Sequence, residues 1–136
     1  ALPILKNIED LVLLGYENEL IQVYMNILNN AIDSLENLND EVKLIKISVK
    51  KDENNVILEF LDNAGGIDDS IIEKVFDSHF TTKSEKSGSG IGLYMSKIII
   101  TKSKGELTVC NKTFDFKNKN YKGANFSIVL PIWLFK

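Results

Sequence analysis

Two segments of the chain have the spacing of apolar residues that is typical of amphipathic helices. Residues 17–38 contain neither Gly nor Pro, and their apolar side chains recur at intervals of three and four positions. These apolar residues are Leu20, Val23, Ile27, Ala31 and Leu35. A helical spacing also runs over residues 92–101 and is terminated by Gly105. We therefore predict a long helix over residues 17–38 and a second helix over residues 92–101.

Apolar runs and alternating positions predict strands in the rest of the chain. Residues 42–50 and 56–61 lie on either side of a turn-like polar segment and predict a β-hairpin. Residues 107–110 and 124–131 predict two more strands, separated by a polar excursion over residues 112–122. The apolar run at residues 11–14 fits a further strand, and the polar residues 68–70 are expected to cap a short helix that ends at Phe76.

The order of these elements predicts the fold class. Helices and strands are mixed without strict βαβ alternation, which favours an α+β sandwich with helices on one face of a mostly antiparallel or mixed sheet. The chain has 136 residues, 44% of them hydrophobic, and no internal repeat or linker divides it. We therefore expect a single domain over residues 1–136 that needs no disulfide or structural metal to fold.

Charge and the rare residue types argue against several classes of function. The 16 basic residues are all lysines, and with 19 acidic residues they give a formal net charge of −3, which disfavours nucleic-acid binding as the main role. Without arginine, any phosphate must be bound by lysine or by backbone N–H groups. The single cysteine, Cys110, and the single histidine, His79, allow neither an internal disulfide nor a zinc cluster. No apolar run approaches the roughly 20 residues of a membrane span, so we expect a cytoplasmic location.

The predicted long helix carries a stripe of polar residues. Gln22, Asn26, Asn30 and Asp33 follow one another at spacings of four, four and three. Taken alone, the stripe is equally compatible with the solvated face of an amphipathic helix. Solvated faces favour Lys and Glu, however, whereas carboxamides are weak helix formers whose oxygen can coordinate Mg²⁺.

Two glycine-containing segments are candidates for ligand binding. Asp62-Asn63-Ala64-Gly65-Gly66-Ile67 follows a predicted strand and alone resembles a plain turn, but its carboxylate could accept an N–H from a planar base. Gly88-Ser89-Gly90-Ile91-Gly92-Leu93 opens the second helix, where N–H groups and the helix dipole would form an anion site. Its spacing is neither that of a Walker loop nor that of the dinucleotide fingerprint.

Four motifs, taken together and in order, resemble the ATP-binding catalytic domain of sensor histidine kinases. They are Asn26-x-x-x-Asn30, Asp62-Asn63-Ala64-Gly65-Gly66, Phe76-x-x-x-Phe80-Thr81-Thr82-Lys83 and Gly88-Ser89-Gly90-Ile91-Gly92-Leu93. They look like the N box, the first glycine box, the F box and the second glycine box of that family, whose superfamily includes DNA gyrase B, the Hsp90 chaperones, MutL and the anti-sigma-factor serine kinases. The resemblance covers residues 11–131. It implies a two-layer α/β sandwich in which a mixed five-stranded sheet carries three helices on one face, with ATP between the long helix and a lid.

The resemblance also implies roles for the motif residues. Asn30 would be the Mg²⁺ ligand, Asn26 would join the phosphate and metal network, and Asp62 would accept a hydrogen from the adenine 6-amino group. Lys83 would supply charge at the γ-phosphate. The residues implied in ATP binding are Asn26, Asn30, Asp62, Gly66, Ile67, Phe80, Thr82, Lys83, Gly88, Ser89, Gly90, Ile91, Gly92 and Leu93, with Asn26 and Lys83 as the catalytic pair.

Asn26 bears on which branch of the superfamily the chain resembles. The ATP-hydrolysing members and the anti-sigma kinases have Glu four residues before the metal-binding Asn, where a carboxylate can act as a base. An amide cannot take up a proton at neutral pH, so Asn26 favours transfer of the phosphoryl group to an outside acceptor. In a histidine kinase the acceptor is an imidazole on a separate dimerisation domain, with a response regulator downstream. A gyrase-, MutL- or Hsp90-like ATPase and an anti-sigma-type serine kinase remain alternatives.

Three positions depart from the family pattern. Ala64 stands where many relatives have Gly. Asp33 occupies a position that is basic in many sensor kinases, so Lys83 or Lys86 would have to supply the charge. His79 lies in the lid motif, where a packing role is a better interpretation than a phosphoacceptor role. We expect lid residues 81–87 to be disordered without nucleotide, the isolated domain to be monomeric, and the domain to contact neither membrane nor nucleic acid, although the resemblance allows a parent protein anchored in the inner membrane.

Overall fold

The structure, a computed structural model, describes residues 4–7, 17–39, 42–78 and 91–134. These ranges form five strands, two α-helices and two short 3₁₀ turns, the turns at Ile72–Lys74 and Ile132–Leu134. The strands are β1 (Ile4–Asn7), β2 (Ile45–Lys51), β3 (Asn55–Asp62), β4 (Glu106–Phe116) and β5 (Lys119–Pro131), and the helices are α1 (Glu17–Glu36) and α2 (Ile91–Lys102). The predicted α+β class is therefore confirmed, as are both long helices and the first hairpin.

The strands form one mixed sheet in the order β1-β2-β3-β5-β4. β1 pairs with β2 in parallel, and the other neighbouring pairs are antiparallel. β3 is the central strand, and the register places Asp62 at its end, opposite Ile45 of β2. The carboxylate that the sequence singled out thus lies at the end of the middle strand.

Both helices pack on the same face of the sheet. Residues Leu20, Val23 and Ile27 of α1 share a core with Ile99 and Ile100 of α2. The sheet contributes Phe60, Leu107, Ala124, Phe126, Ile128 and Leu130 to the same core. Because side chains alternate along a strand, Asp62 has the same parity as Phe60 and lies on the helix-covered face.

The opposite face of the sheet carries a small polar network. Asn125 donates to Glu59 Oε2 at 2.7 Å, and the Nζ atoms of Lys112 and Lys50 lie 3.3 and 3.9 Å from the same carboxylate. The Asn125 hydrogen bond is the largest cause that lowers the pKa of Glu59, and together with the two ammonium groups it outweighs partial burial. The face without helices therefore carries polar and charged groups, as a two-layer fold requires.

The prediction that residues 112–122 form a polar segment between two strands is wrong. These residues continue β4 and β5 into a long hairpin, whose pairing runs from Glu106 opposite Val129 to Phe116 opposite Lys119. The two residues of the turn, Lys117 and Asn118, have φ angles of 49° and 66°. Two positive φ angles define the hairpin turn that matches the twist of antiparallel strands.

The short helix predicted to end at Phe76 is replaced by a single 3₁₀ turn, Ile72–Lys74. Asp68 does order the segment as a polar cap would, since its Oδ1 accepts from Ser70 N at 2.8 Å and from Ser70 Oγ at 2.7 Å. The described residues thus contain two α-helices where three were expected. The strand expected at residues 11–14 lies outside the described residues.

Candidate functional site

The polar stripe of α1 meets the first turn of α2 at Asn26. The Asn26 Nδ2 donates to the carbonyl oxygen of Gly92 and to the Ser96 hydroxyl, each at 3.2 Å. The approach is close, because a Cβ built on Gly92 would lie 3.6 Å from Asn26 Cγ. The N box and the described end of the second glycine box therefore come together in space.

Asn30 lies one turn further along the same stripe. Its side chain is half-buried, and the part of the chain that the structure describes offers no hydrogen-bond partner to its carboxamide. Its backbone carbonyl accepts from the Ser34 hydroxyl at 3.0 Å, an ordinary contact within the helix. An accessible amide oxygen at this place can serve as a hard ligand for Mg²⁺.

Asp62 is a carboxylate with 3% of its surface exposed at the end of β3. Its Oδ1 accepts two backbone hydrogen bonds, from Ala64 N at 3.0 Å and from Ala124 N at 3.2 Å. Burial raises the pKa of Asp62 and outweighs these two bonds, which lower it.

The second carboxylate oxygen of Asp62 is available to a ligand. Both backbone bonds end on Oδ1, and among the described residues no fully buried side-chain oxygen or nitrogen lacks a partner. Oδ2 therefore retains contact with solvent while the rest of the group is enclosed. A carboxylate held in this way suits an N–H donor that arrives from outside, such as the amino group of a base.

Two glycines after Asp62 form the turn that follows β3. Gly65 and Gly66 have φ angles of 97° and 88°, in the region that favours glycine. Asn111 of β4 holds the next residue with two hydrogen bonds, since its Oδ1 accepts from Ile67 N at 2.8 Å and its Nδ2 donates to Ile67 O at 2.7 Å. Gly65 N also donates to Lys122 O at 2.9 Å. The base of the β4–β5 hairpin thus fixes the first glycine box.

Asn63 ties the same loop to the segment that precedes β2. Its Oδ1 accepts from Leu44 N and its Nδ2 donates to Val42 O, both at 2.8 Å. The side chain is buried, and these two bonds satisfy its amide group at both ends. Ala64 beside it packs against the cluster of Ala31, Leu35 and Ile45, so the loop adjoins a core that α1 and β2 share.

Several residues that support the site were missed by the sequence reasoning. Gly123 is the clearest, because a Cβ there would collide with the backbone carbonyl of Asp62. An isolated Gly inside a strand often marks such a close backbone approach, and this was the available signal. Asn111 and Ser96 carried no comparable signal in the sequence.

Phe76, the first residue of the F box, packs against the core. The Phe76 ring meets Phe126 edge to face, with centroids 6.2 Å apart and an angle of 86°. Lys97 of α2 lies over the Phe76 ring at 5.0 Å and donates to Leu107 O at 2.7 Å. Phe76 therefore joins the segment that precedes the predicted lid to both the sheet and α2.

The structure describes only part of the predicted site. Asn26, Asn30, Asp62, Gly66, Ile67, Gly92 and Leu93 are described, and Ile91 begins α2. Ile67 and Leu93 both pack against the main core, so they delimit the site by shape. The predictions for Phe80, Thr82, Lys83, Gly88, Ser89 and Gly90, and those for His79 and the lid, lie outside the described residues.

The described donor set fits a nucleotide and a hard divalent cation better than a metal centre built from protein alone. No group of three or more His, Cys, Asp or Glu side chains that could hold a metal occurs in the described ranges. Amide oxygens on α1 would supply one or two ligands, which would suit Mg²⁺ because this ion usually keeps waters and substrate phosphates. In the same ranges, no helix is long and apolar enough to cross a membrane.

Comparison with known proteins defines the family. Residues 15–134 match the histidine kinase-, DNA gyrase B-, and HSP90-like ATPases, and the chain belongs to this family. It is 32% identical over 126 residues to the two-component sensor PprA of Pseudomonas aeruginosa, an alignment that covers 90% of this chain and 13% of PprA. Its fold is similar to that of the mycobacterial sensor histidine kinase MprB, with a TM-score of 0.77, 22% identity, and coverage of 96% of this chain and 81% of that one.

A further solved structure is the catalytic domain of histidine kinase ThkA in a nucleotide-free form. It has a TM-score of 0.71 and 27% sequence identity to this chain. The alignment covers 94% of this chain and 77% of the ThkA chain. These relatives show that the chain matches the ATP-binding domain of histidine kinases. They confirm the resemblance that the four motifs indicated. The chain spans only 13% of the length of PprA, so it corresponds to one part of that longer protein.

Proposed function

We propose that this chain binds Mg²⁺-ATP and donates the γ-phosphoryl group to a histidine on a separate dimerisation and phosphotransfer domain, as part of two-component signal transduction. The contact between Asn26 and the first turn of α2 is the observation that carries the proposal. It holds the Asn26 carboxamide, whose oxygen would join the metal network, beside a helix N-terminus, where N–H groups and the dipole attract phosphate. A triphosphate with its cation is a ligand that needs both features at once.

Adenine selection is proposed for Asp62. The Oδ2 atom would accept a hydrogen from the exocyclic amino group, while the two backbone bonds hold Oδ1 in place. The turn at Gly65 and Gly66 has little side-chain bulk, so a planar base can lie against the chain. Guanine presents a carbonyl oxygen at the equivalent position, which an acceptor would repel.

The proposed roles in phosphoryl transfer are mainly those of binding and orientation. Asn30 would hold Mg²⁺, and the bound ion would neutralise charge on the phosphates during transfer. Phe76 would hold the start of the lid, and Lys83 would contribute positive charge at the γ-phosphate. Asn26 cannot act as a base, which is why we favour transfer to an imidazole over hydrolysis.

The nucleotide-binding part is tested by calorimetric titration with a non-hydrolysable ATP analogue and Mg²⁺. Asp62→Asn should weaken binding by about tenfold or more, since a hydrogen bond to a charged group contributes roughly 1.5–3 kcal/mol. Asp52→Asn is the matched control, because Asp52 Oδ1 also accepts two backbone N–H bonds, from Asn54 and Asn55 at 2.8 Å each, but at the β2–β3 turn. Equal affinity in all three proteins, or no binding by the wild type, would reject the pocket.

The kinase part is tested by joining the chain to a histidine-bearing dimerisation domain and supplying ATP. We expect an acid-labile phosphohistidine, together with slow steady-state phosphate release from the isolated chain. Rapid phosphate release without any phosphohistidine would instead favour an ATPase of the gyrase or MutL type.

A further inference from the structure

We propose that Ser96 of α2 is a positioning residue that, together with the Gly92 carbonyl, fixes the orientation of the Asn26 carboxamide, so that Asn26 acts on the metal through its oxygen. This inference rests on the proposed function for its ligand, but its structural part concerns the protein alone. Ser96 is fully buried, in the turn of α2 that faces α1.

The orientation follows from the chemistry of the three partners. The Gly92 carbonyl oxygen can only accept, so the Asn26 atom that faces it at 3.2 Å must be the nitrogen. The Ser96 hydroxyl donates its own proton to the same carbonyl at 2.8 Å. Its oxygen is then free to accept from Asn26 Nδ2, at 3.2 Å. Rotating the carboxamide by half a turn would bring Oδ1 against the Gly92 carbonyl oxygen, and the single Ser96 proton could then satisfy only one of these two acceptors.

The Gly92 and Ser96 oxygens hold the nitrogen of the Asn26 carboxamide, and the oxygen of the same group lies beside Gly92, 3.7 Å from the position of a Cβ built there. This Oδ1 can bind a cation or a donor such as a metal-bound water. We therefore assign the Asn26 oxygen to the metal side of the proposed site, together with Asn30.

The chain offers a closely matched control for Ser96. Ser103 is also buried at 3% exposure, and it also donates to the carbonyl four residues earlier, Ile99 O, at 3.1 Å. Ser103 lies one residue beyond the end of α2, and of the two serines only Ser96 has a hydrogen bond to α1. Ser96→Ala and Ser103→Ala therefore remove the same buried hydroxyl group, and only the first removes a hydrogen bond from Asn26.

The first measurement is nucleotide affinity with and without Mg²⁺, using a non-hydrolysable ATP analogue. Ser96→Ala should weaken metal-dependent binding by about five- to tenfold, the effect of one hydrogen bond, and leave binding in EDTA unchanged. Ser103→Ala should match the wild type in both conditions. Equal effects of the two variants, or an equal loss with and without Mg²⁺, would overturn the proposal.

The second measurement uses nuclear magnetic resonance of the free protein and needs no ligand, so it separates this inference from the proposed function. The side-chain NH₂ signals of Asn26, assigned by their loss in Asn26→Ala, should exchange slowly with solvent in the wild type and in Ser103→Ala. They should exchange faster in Ser96→Ala. Rapid exchange in the wild type would overturn the inference even if nucleotide binds, and protected exchange there would support it even if nucleotide does not.

Discussion

At the scale of single residues, the main feature is a carboxylate that the fold encloses at some cost to stability. Asp62 is buried, and its pKa is raised because burial disfavours the charged form more than two backbone bonds favour it. The ionised group therefore opposes folding near neutral pH. A protein retains such a group when the charge has another use, and a ligand N–H at Oδ2 is the use proposed for it here.

This cost predicts how Asp62→Asn changes stability with pH. A raised folded-state pKa means that the folded protein binds its proton more tightly than the unfolded chain, so wild-type stability falls as pH rises from 3.8 through the raised value. Asparagine keeps an Oδ1 acceptor for both N–H groups but has no charge. The variant should thus unfold at a higher urea concentration than the wild type at pH 7, and the difference should shrink as pH falls through the raised pKa of Asp62 to 3.8.

Urea titrations of both proteins between pH 3 and pH 7 measure this difference. Other carboxylates such as Glu59 titrate in both proteins and cancel in the comparison. A variant that is less stable at pH 7 would show that the ionised carboxylate stabilises the fold, contrary to this account.

Gly123 gives a second prediction at this scale. Gly123→Ala places a Cβ against the backbone carbonyl of Asp62 and 2.8 Å from its Oδ1. A shift of either backbone would disturb strand pairing, since Gly123 pairs with Lys112 and Asp62 with Ile45. We expect a loss of about 1–3 kcal/mol in unfolding free energy, typical of overpacking, and weaker nucleotide binding. Gly65→Ala is the comparison, because a Cβ there meets no atom within 4 Å and only its φ of 97° is strained. An equal loss of nucleotide affinity in the two variants would argue against a specific displacement of Asp62.

Some site residues could be predicted from the sequence and others could not, and one physical difference separates the two groups. Asn26 and Asp62 stand out because their neighbours along the chain form recognisable motifs. The partners that hold them are distant in sequence, since Ser96 lies 70 residues from Asn26, Ala124 lies 62 from Asp62, and Asn111 lies 44 from Ile67. Such pairings depend on the register of the strands and the packing of the helices, which apolar spacing does not determine.

At the scale of elements, the β4–β5 hairpin both extends the sheet and stabilises the candidate site. The outer part of the hairpin, residues 112–122, was not predicted because it is polar. Strands that extend beyond the edge of a core do not need a continuous apolar face. The remaining signal was an aromatic alternation at Phe114, Phe116 and Tyr121, of which Phe114 and Tyr121 stack with centroids 5.9 Å apart. The α1 and α2 boundaries, by contrast, were predicted within two residues, because both helices bury a continuous apolar face.

The hairpin and the first glycine box are joined by Asn111, and its removal is predicted to affect both. Asn111→Ala leaves the N–H and carbonyl of Ile67 without partners, which should cost about 1–3 kcal/mol of unfolding free energy and loosen the turn beside Asp62. Asn120→Ala is the control in the same hairpin, since Asn120 is exposed and donates to Asp115 Oδ1 at 2.9 Å and to Phe114 O at 3.5 Å, away from the first glycine box. Chemical denaturation measures the unfolding free energy of both variants, and nucleotide titration measures their affinity. Similar values for the two variants would show that Asn111 does not stabilise the first glycine box.

At the scale of the whole molecule, the described part of the site joins elements from both halves of the chain. α1 and β3 come from the first half, and α2 with the β4–β5 hairpin comes from the second. A ligand that contacts Asp62, Asn30 and the start of α2 would therefore bind only the folded state. Binding of this kind must stabilise the whole domain, whichever residue contributes most to affinity.

The resulting prediction is an opposite ranking of two proteins with and without nucleotide. Without ligand at pH 7, Asp62→Asn should melt above the wild type, because it lacks the buried charge. With Mg²⁺ and a non-hydrolysable ATP analogue at 100 times the wild-type Kd, the wild type should gain about 2.7 kcal/mol. Asp62→Asn should gain about 1.4 kcal/mol if its affinity is tenfold lower, and less if the affinity falls further. Thermal melting with ATP and GTP analogues in parallel tests the base as well, and equal stabilisation by both nucleotides would show that Asp62 does not select adenine.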